Sequence, residues 1–81
     1  MTNAQALREI RLMAKSNGLT FKVQPGATLN GGSMYMFADR KTGETVIRNC
    51  TIDSAYNDCM SGYIDSYDTK SGQFDGVTPY E

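Results

Sequence analysis

The stretch SMYMFADRKTGETVIRNC, residues 33–50, decides the fold because it reads as two strands joined by a tight turn. Residues 33–38 are apolar on both faces, as in the central strand of a sheet. Residues 39–44 are polar and include Gly43, which suits a hairpin loop that needs a positive φ. Residues 45–50 are rich in β-branched side chains and predict the next strand.

A further strand is predicted before this hairpin. Residues 19–24 alternate apolar and polar side chains, the pattern of a half-buried strand. Pro25 and Gly26 are expected to end it, and the following loop is expected to run to Gly32. Connections this short favour an antiparallel meander with residues 33–38 in the middle.

One helix is predicted before the strands. Thr2 and Gln5 have the spacing of a capping box, so this helix is expected to begin at Asn3. Gly18 suits the left-handed position after its last turn. Its apolar side chains recur at helical spacing and form one stripe: Ala6, Leu7, Ile10, Met13 and Ala14.

A second helix is predicted over residues 53–68, with Thr51 or Asp53 as its cap. Its apolar side chains repeat over four turns: Ile52, Ala55, Tyr56, Cys59, Met60, Tyr63, Ile64 and Tyr67. Gly62 lies inside this pattern at a cost of about 1 kcal/mol relative to alanine. The residues after the helix predict a partly disordered tail, which Phe74 can anchor to the body.

These elements predict an α+β fold in the order α-β-β-β-α, with one domain over residues 1–68 and a C-terminal tail over 69–81. Both helices are expected to pack on one face of a three-stranded antiparallel meander. The other face is then open, and either Tyr35 and Phe37 or the alternate side chains of the same strand point outward. Such an exposed apolar patch predicts a partner or homodimer interface. The alternative is that the tail covers it.

The charge of the chain is unevenly divided. Residues 1–48 contain seven basic and three acidic residues, a balance of +4, and residues 49–81 contain one basic and six acidic residues, a balance of −5. The formal net charge of −1 therefore conceals a dipolar molecule. Asymmetry of this kind concerns what a protein contacts rather than how it folds.

Two charged helix faces follow from the pattern. Arg8, Arg11 and Lys15 fall within an arc of about 60° on the first helix, with Leu12 at its edge. The second helix places acidic side chains opposite its apolar stripe, without basic partners three or four residues away: Asp58, Asp65 and Asp68. For each face the alternative is an ordinary solvated surface.

The residue types present argue against catalysis. The chain has no histidine, so the commonest general base and metal ligand is missing. Cys50 and Cys59 are expected to be reduced, buried thiols and are too few for a structural zinc site. We therefore predict a non-enzymatic protein with no cofactor and no metal site. No stretch approaches the roughly 20 apolar residues of a membrane span, and the N-terminus lacks a signal core, so a cytoplasmic location is expected.

The predicted order of elements resembles the double-stranded-RNA-binding domain and the toxin ribonucleases built on the same topology. That resemblance covers about 65 residues in topology and implies the fold. The functional residues differ: where the RNA-binding family has a lysine cluster, the second helix here opens with Thr51-Ile52-Asp53-Ser54. The loop histidine of that family and the catalytic histidine of the toxins have no counterpart.

In sequence texture, YMFADRKTGETV at residues 35–46 and the Ala55-Tyr56 helix look like small accessory proteins of bacterial temperate phages. This resemblance implies a non-enzymatic protein that modulates or inhibits a host factor, such as a defence nuclease or a CRISPR complex. The expected partner is then a host or phage protein in the bacterial cytoplasm.

Two functional hypotheses follow. The preferred one is a protein-binding module, for which the candidate contact residues are Asp58, Asp65, Asp68, Arg8, Arg11, Leu12, Lys15, Tyr35 and Phe37. The alternative is a nucleic-acid-binding domain that uses Arg8, Arg11, Lys15, Arg40, Lys41 and Arg48. We rank nucleic acid second because the sequence pI is about 5.2 and the second helix carries unpaired carboxylates.

Overall fold

The computed structural model describes residues 2–29 and 32–74. The elements in chain order are helix α1 (Asn3–Ser16), strands β1 (Leu19–Leu29), β2 (Gly32–Asp39) and β3 (Thr45–Cys50), helix α2 (Ile52–Met60), a 3₁₀ turn (Ile64–Ser66), and strands β4 (Tyr67–Asp68) and β5 (Gln73–Phe74). The predicted α+β class and the order α-β-β-β-α are confirmed.

The three long strands form an antiparallel sheet in the order β1-β2-β3, as the short connections predict. The two helices share one hydrophobic core with one face of this sheet. The core residues come from every one of these elements: Ile10, Ala14, Leu19, Phe21, Phe37, Cys50, Ala55 and Cys59. Ile64 and Tyr67 complete this core from the segment that follows α2.

β1 is longer than predicted. It continues past Pro25 and Gly26 to Leu29, with a register shift between Val23 and Thr28. Proline lacks an amide donor, but β1 is an edge strand of the three-stranded sheet, where one side of the ladder is unpaired. Gly26 has a φ of +76°, which lets the chain bulge and then resume pairing. The expected loop is therefore a bulged extension of the strand.

The predicted helix over residues 53–68 is wrong in its second half. α2 ends at Met60, and Gly62 has a φ of +85°, in the left-handed region that ends helices. The chain then forms the 3₁₀ turn and enters β4. The helical spacing of apolar residues extends past Met60 in the sequence because Ile64 and Tyr67 are also buried in the core. They reach the core from a 3₁₀ turn and a strand, and not from a helix.

The first residues after position 68 pack on the body, as expected for Phe74. β4 pairs with β5 as an antiparallel hairpin, and the ring of Phe74 stacks on Tyr63 with centroids 4.5 Å apart. Phe74 is also 5.1 Å from the ring of Tyr67, a buried core residue. The packed fold therefore extends to Phe74. The expectation of disorder for residues 75–81 lies outside the described residues.

The sheet orientation removes Phe37 from the candidate surface residues. Phe37 is fully buried and lies 4.7 Å from Phe21, and Tyr35 is half-buried and stacks on Phe21 at 5.0 Å. Because side chains alternate along a strand, Met34 and Ala38 point to the opposite face, where both are nonetheless buried. Within the described residues, β2 exposes no large apolar side chain.

Candidate functional site

The capping box at the start of α1 fixes where the helix begins, and its buried stripe determines which side chains face solvent. The Thr2 hydroxyl accepts a hydrogen bond from the Gln5 amide at 3.2 Å, and the Gln5 side chain accepts one from the Thr2 amide at 2.9 Å. This pair fixes the first turn of a helix whose buried residues are Ala6, Ile10 and Ala14. The opposite face then belongs to the basic residues, as predicted.

The basic residues of α1 are exposed and surround an apolar side chain. Arg8, Arg11 and Lys15 are exposed, and Leu12 between them keeps 62% of its surface exposed. Glu9 is the one acidic residue of α1 and interacts with Tyr56 of α2. Within the described residues no ion pair neutralises the three basic side chains.

Two surface depressions meet along this helix. The first has a volume of about 440 Å³ and is lined by Ala4, Leu7, Arg8, Arg11, Leu12 and Lys15; we call it the apolar depression. The second has a volume of about 310 Å³ and is lined by Arg11, Lys15, Leu19, Thr20, Phe21 and Arg40; we call it the cationic depression. Arg11 and Lys15 belong to both, so the two depressions are neighbours.

Arg40 reaches α1 because its turn is fastened to the end of the helix. The Arg40 amide donates to the carbonyl of Gly18 at 3.0 Å. Gly18 has a φ of +77°, and a Cβ there would come within 2.6 Å of the methyl carbon of Thr69. Glycine is therefore required both by the backbone and by the space. This close approach joins the helix end, the β2–β3 turn and the segment after β4.

The same turn is held from inside by Asp39. Its carboxylate accepts hydrogen bonds from the amides of Lys41 at 2.7 Å and Thr42 at 3.0 Å, and from the Tyr67 hydroxyl at 2.6 Å. The bond from Tyr67, followed by the two amide bonds, lowers the pKa of Asp39 below its ordinary value. Burial, together with Asp39, raises the pKa of Tyr67 to about 12. The pair therefore consists of a carboxylate and a neutral phenol over the physiological range.

The remaining predicted cations line neither depression of α1. Lys41 is exposed and lines a different depression, with Gly18, Asp39, Arg40 and Thr69. Arg48 is exposed on β3 and lines neither depression of α1. The structure thus groups Arg8, Arg11 and Lys15 with Arg40, and leaves Lys41 and Arg48 outside the group. We call Arg8, Arg11, Leu12, Lys15 and Arg40 the α1 basic surface.

The three acidic candidates do not share one helical face. Asp58 is half-buried in α2, and burial raises its pKa. Asp65 lies in the 3₁₀ turn, where it accepts a hydrogen bond from the Asn17 amide group at 2.9 Å. Asp68 ends β4 and accepts one from the Lys70 amide at 2.9 Å, which lowers its pKa. The break of the helix at Gly62 is the physical reason for this dispersal.

The two cysteines are buried and unpaired. Burial raises the pKa of Cys50 and of Cys59 to about 11, and the negative charge of Asp58 acts in the same direction. Both sulfurs are therefore protonated thiols at neutral pH and poor nucleophiles. In residues 2–29 and 32–74 no three side chains of His, Cys, Asp or Glu form a group that could hold a metal ion.

Comparison with known proteins gives no relative from which to transfer a function. No family model, curated protein or solved structure matches the chain. Over the described ranges, no helix has the length and apolar composition needed to cross a membrane. The candidate site is therefore defined by its own geometry.

Proposed function

We propose that the chain is a small, non-enzymatic protein-binding module whose contact surface is the α1 basic surface. The observation that carries the proposal is Leu12, which is 62% exposed between Arg8, Arg11 and Lys15 and borders the apolar depression. A large apolar side chain inside a polar rim is the arrangement that protein interfaces desolvate. Phosphate groups gain nothing from such a side chain.

The partner to test first is a bacterial host factor. The resemblance to phage accessory proteins supports a role as modulator or inhibitor of such a factor in the bacterial cytoplasm. The three cations of α1 support binding through this helix, whereas the acidic candidates lie on separate elements.

The test is affinity capture from bacterial lysate with a tagged chain, with and without nuclease, using two matched variants. Leu12→Gln removes the exposed apolar side chain of α1. Met60→Gln removes one of similar exposure, 51%, from the end of α2. We expect the wild-type chain to capture a stoichiometric protein that is still recovered after nuclease treatment. The Leu12→Gln variant should capture about tenfold less of this protein than the wild type, since an interface anchor contributes about 1.4 kcal/mol or more. Met60→Gln should recover it as the wild type does.

Equal recovery by the two variants contradicts a contact at Leu12. Circular dichroism of both variants serves as the folding control, because both positions are solvent-exposed and should leave the helical signal unchanged.

Nucleic-acid binding is the second candidate, favoured by the convergence of Arg11, Lys15 and Arg40 on the cationic depression. It predicts that the logarithm of affinity falls with the logarithm of salt concentration, with a slope of about −0.9 for each duplex phosphate contacted. If the captured material disappears with nuclease and duplex binding shows this slope, the second candidate replaces the first.

A further inference from the structure

The two depressions of α1 differ in chemistry but share two residues. Beside the apolar depression, the cationic depression is lined by three basic residues, Arg11, Lys15 and Arg40. Its lining also includes Leu19 and Phe21, whose side chains are buried in the core. A ligand that covers both must combine negative charge with an apolar group.

Building on the proposed protein-binding function, we infer that the partner presents an acidic segment with one apolar anchor. Its carboxylates enter the cationic depression, and its anchor packs beside Leu12 in the apolar depression. Guanidinium groups bind carboxylates with two parallel hydrogen bonds, so Arg11 and Arg40 favour this ligand more than lysines would. A depression of about 310 Å³ has room for one or two carboxylate side chains.

The spacing between Leu12, which lines the apolar depression, and Lys15, which lines both depressions, restricts the segment. Leu12 and Lys15 are three residues apart on α1, about 4.5 Å along the helix axis. A partner helix matches this distance with an apolar residue and an acidic residue three or four positions apart, because such side chains are about 5–6 Å apart. An extended partner matches it with residues two positions apart, which lie about 7 Å from each other.

The cationic depression is formed before any ligand arrives. The Arg40 backbone is held by Gly18 at 3.0 Å, and its turn by the buried contact of Asp39 with Tyr67 at 2.6 Å. A preformed site loses less conformational entropy on binding. Because the turn that carries Arg40 is already fixed, a short acidic segment pays only for its own ordering when it binds.

The test uses NMR titration of the isotope-labelled chain with three sets of short synthetic peptides. The first set carries one leucine and two glutamates at varied spacings, the second replaces the glutamates by glutamine, and the third replaces the leucine by serine. We expect amide shifts at Arg11 and Leu12 with the first set, and at least fivefold weaker binding with the other two. The tightest binding is expected at a spacing of three or four for a peptide that binds as a helix and of two for one that binds extended. Absence of shifts at millimolar peptide contradicts the inference.

Two variants locate the charge contact. Arg40→Gln should weaken the best glutamate peptide about fivefold, since one lost ion contact is worth about 1 kcal/mol at an exposed site. Lys22→Gln is the matched control, because Lys22 is exposed on β1 and lines neither depression, and it should change affinity less than twofold. Equal effects of the two variants would mean that only overall charge matters.

A duplex DNA or RNA added to the same labelled chain separates the alternatives. If a duplex displaces the glutamate peptide, and if Arg40→Gln and Lys41→Gln weaken duplex binding equally, the site binds phosphate and the inference is overturned. If glutamate and glutamine peptides bind equally while lysate capture still depends on Leu12, the acidic segment is wrong but the protein-binding function stands. Failure of both assays removes both proposals.

Discussion

The two helices pack on the same sheet, but their charged faces differ in sign and in continuity. α1 runs for fourteen residues and presents its cations along one side. α2 runs for nine residues, and the acidic side chains predicted to continue it are divided among a helix, a 3₁₀ turn and a strand. Charge alone therefore does not make a surface. The backbone must hold the charged groups on one face.

The largest expected effect separates the two faces of α1. Ile10 is fully buried, so Ile10→Ala should lower the free energy of unfolding by about 2–5 kcal/mol through lost burial and a cavity. Leu12→Ala removes a mostly exposed side chain and should change it by about 0.5 kcal/mol or less. Urea denaturation measures both values. Similar losses for the two variants would show that Leu12 is a packing residue and not a contact surface.

The next effect concerns the contact that fixes the turn of Arg40. Tyr67→Phe leaves the buried Asp39 carboxylate without its closest partner and should cost about 1–3 kcal/mol. It should also weaken glutamate-peptide binding, because the turn that carries Arg40 loses its support. Urea denaturation and the peptide titration check these two outcomes. Full stability in the variant would contradict the assigned role of the bond.

The same contact predicts how stability depends on pH. The pKa of Asp39 is lowered on folding, so its contribution is present above the ordinary value of 3.8 and is lost as pH falls through the lowered pKa. The pKa of Tyr67 is raised, so its contribution is complete below 10.0 and is lost as pH rises to about 12. Denaturation across pH should show both limbs, and Tyr67→Phe should remove the alkaline one. An unchanged alkaline limb would assign it to other groups.

A smaller effect tests why α2 ends where it does. Gly62 has a φ of +85°, and no atom lies within 4 Å of a Cβ placed there, so a side chain meets strain but no clash. Gly62→Ala should therefore cost about 1–2 kcal/mol, the penalty of a left-handed conformation for an L-residue. Gly62→Asn should cost less, since asparagine tolerates this region. Equal values for the two variants would mean that the helix end rearranges.

The order of elements was predictable because local signals decide it. The Thr2–Gln5 capping box, Gly18 and the polar turn at Gly43 each act within a few residues, and the structure has all three where the sequence predicts them. The predicted convergence of Arg8, Arg11 and Lys15 follows from helix geometry alone. These parts of the site can be predicted without knowing the tertiary structure.

The rest depended on distant contacts. Asp39 and Tyr67 are 28 positions apart, and nothing in either neighbourhood indicates that they meet. Pro25 predicts the end of a strand, and its place at the sheet edge, which permits it within β1, is a property of the whole fold. The β4–β5 hairpin had a local signal in Gly72 between two aromatic residues, but the helical spacing before it obscured that signal.

The smallest expected effect concerns the three acidic candidates. Replacing Asp58, Asp65 and Asp68 together by asparagine should leave partner capture and glutamate-peptide binding within twofold of wild type, because these carboxylates lie on separate elements. Their effects on stability should be small and opposite in direction. Burial raises the pKa of Asp58, so neutralising this residue should increase stability. The Lys70 amide lowers the pKa of Asp68, so neutralising this residue should decrease stability. Capture with the triple variant beside Leu12→Gln decides the comparison. If the triple variant loses the partner and Leu12→Gln retains it, the contact surface includes these carboxylates although they lie on separate elements.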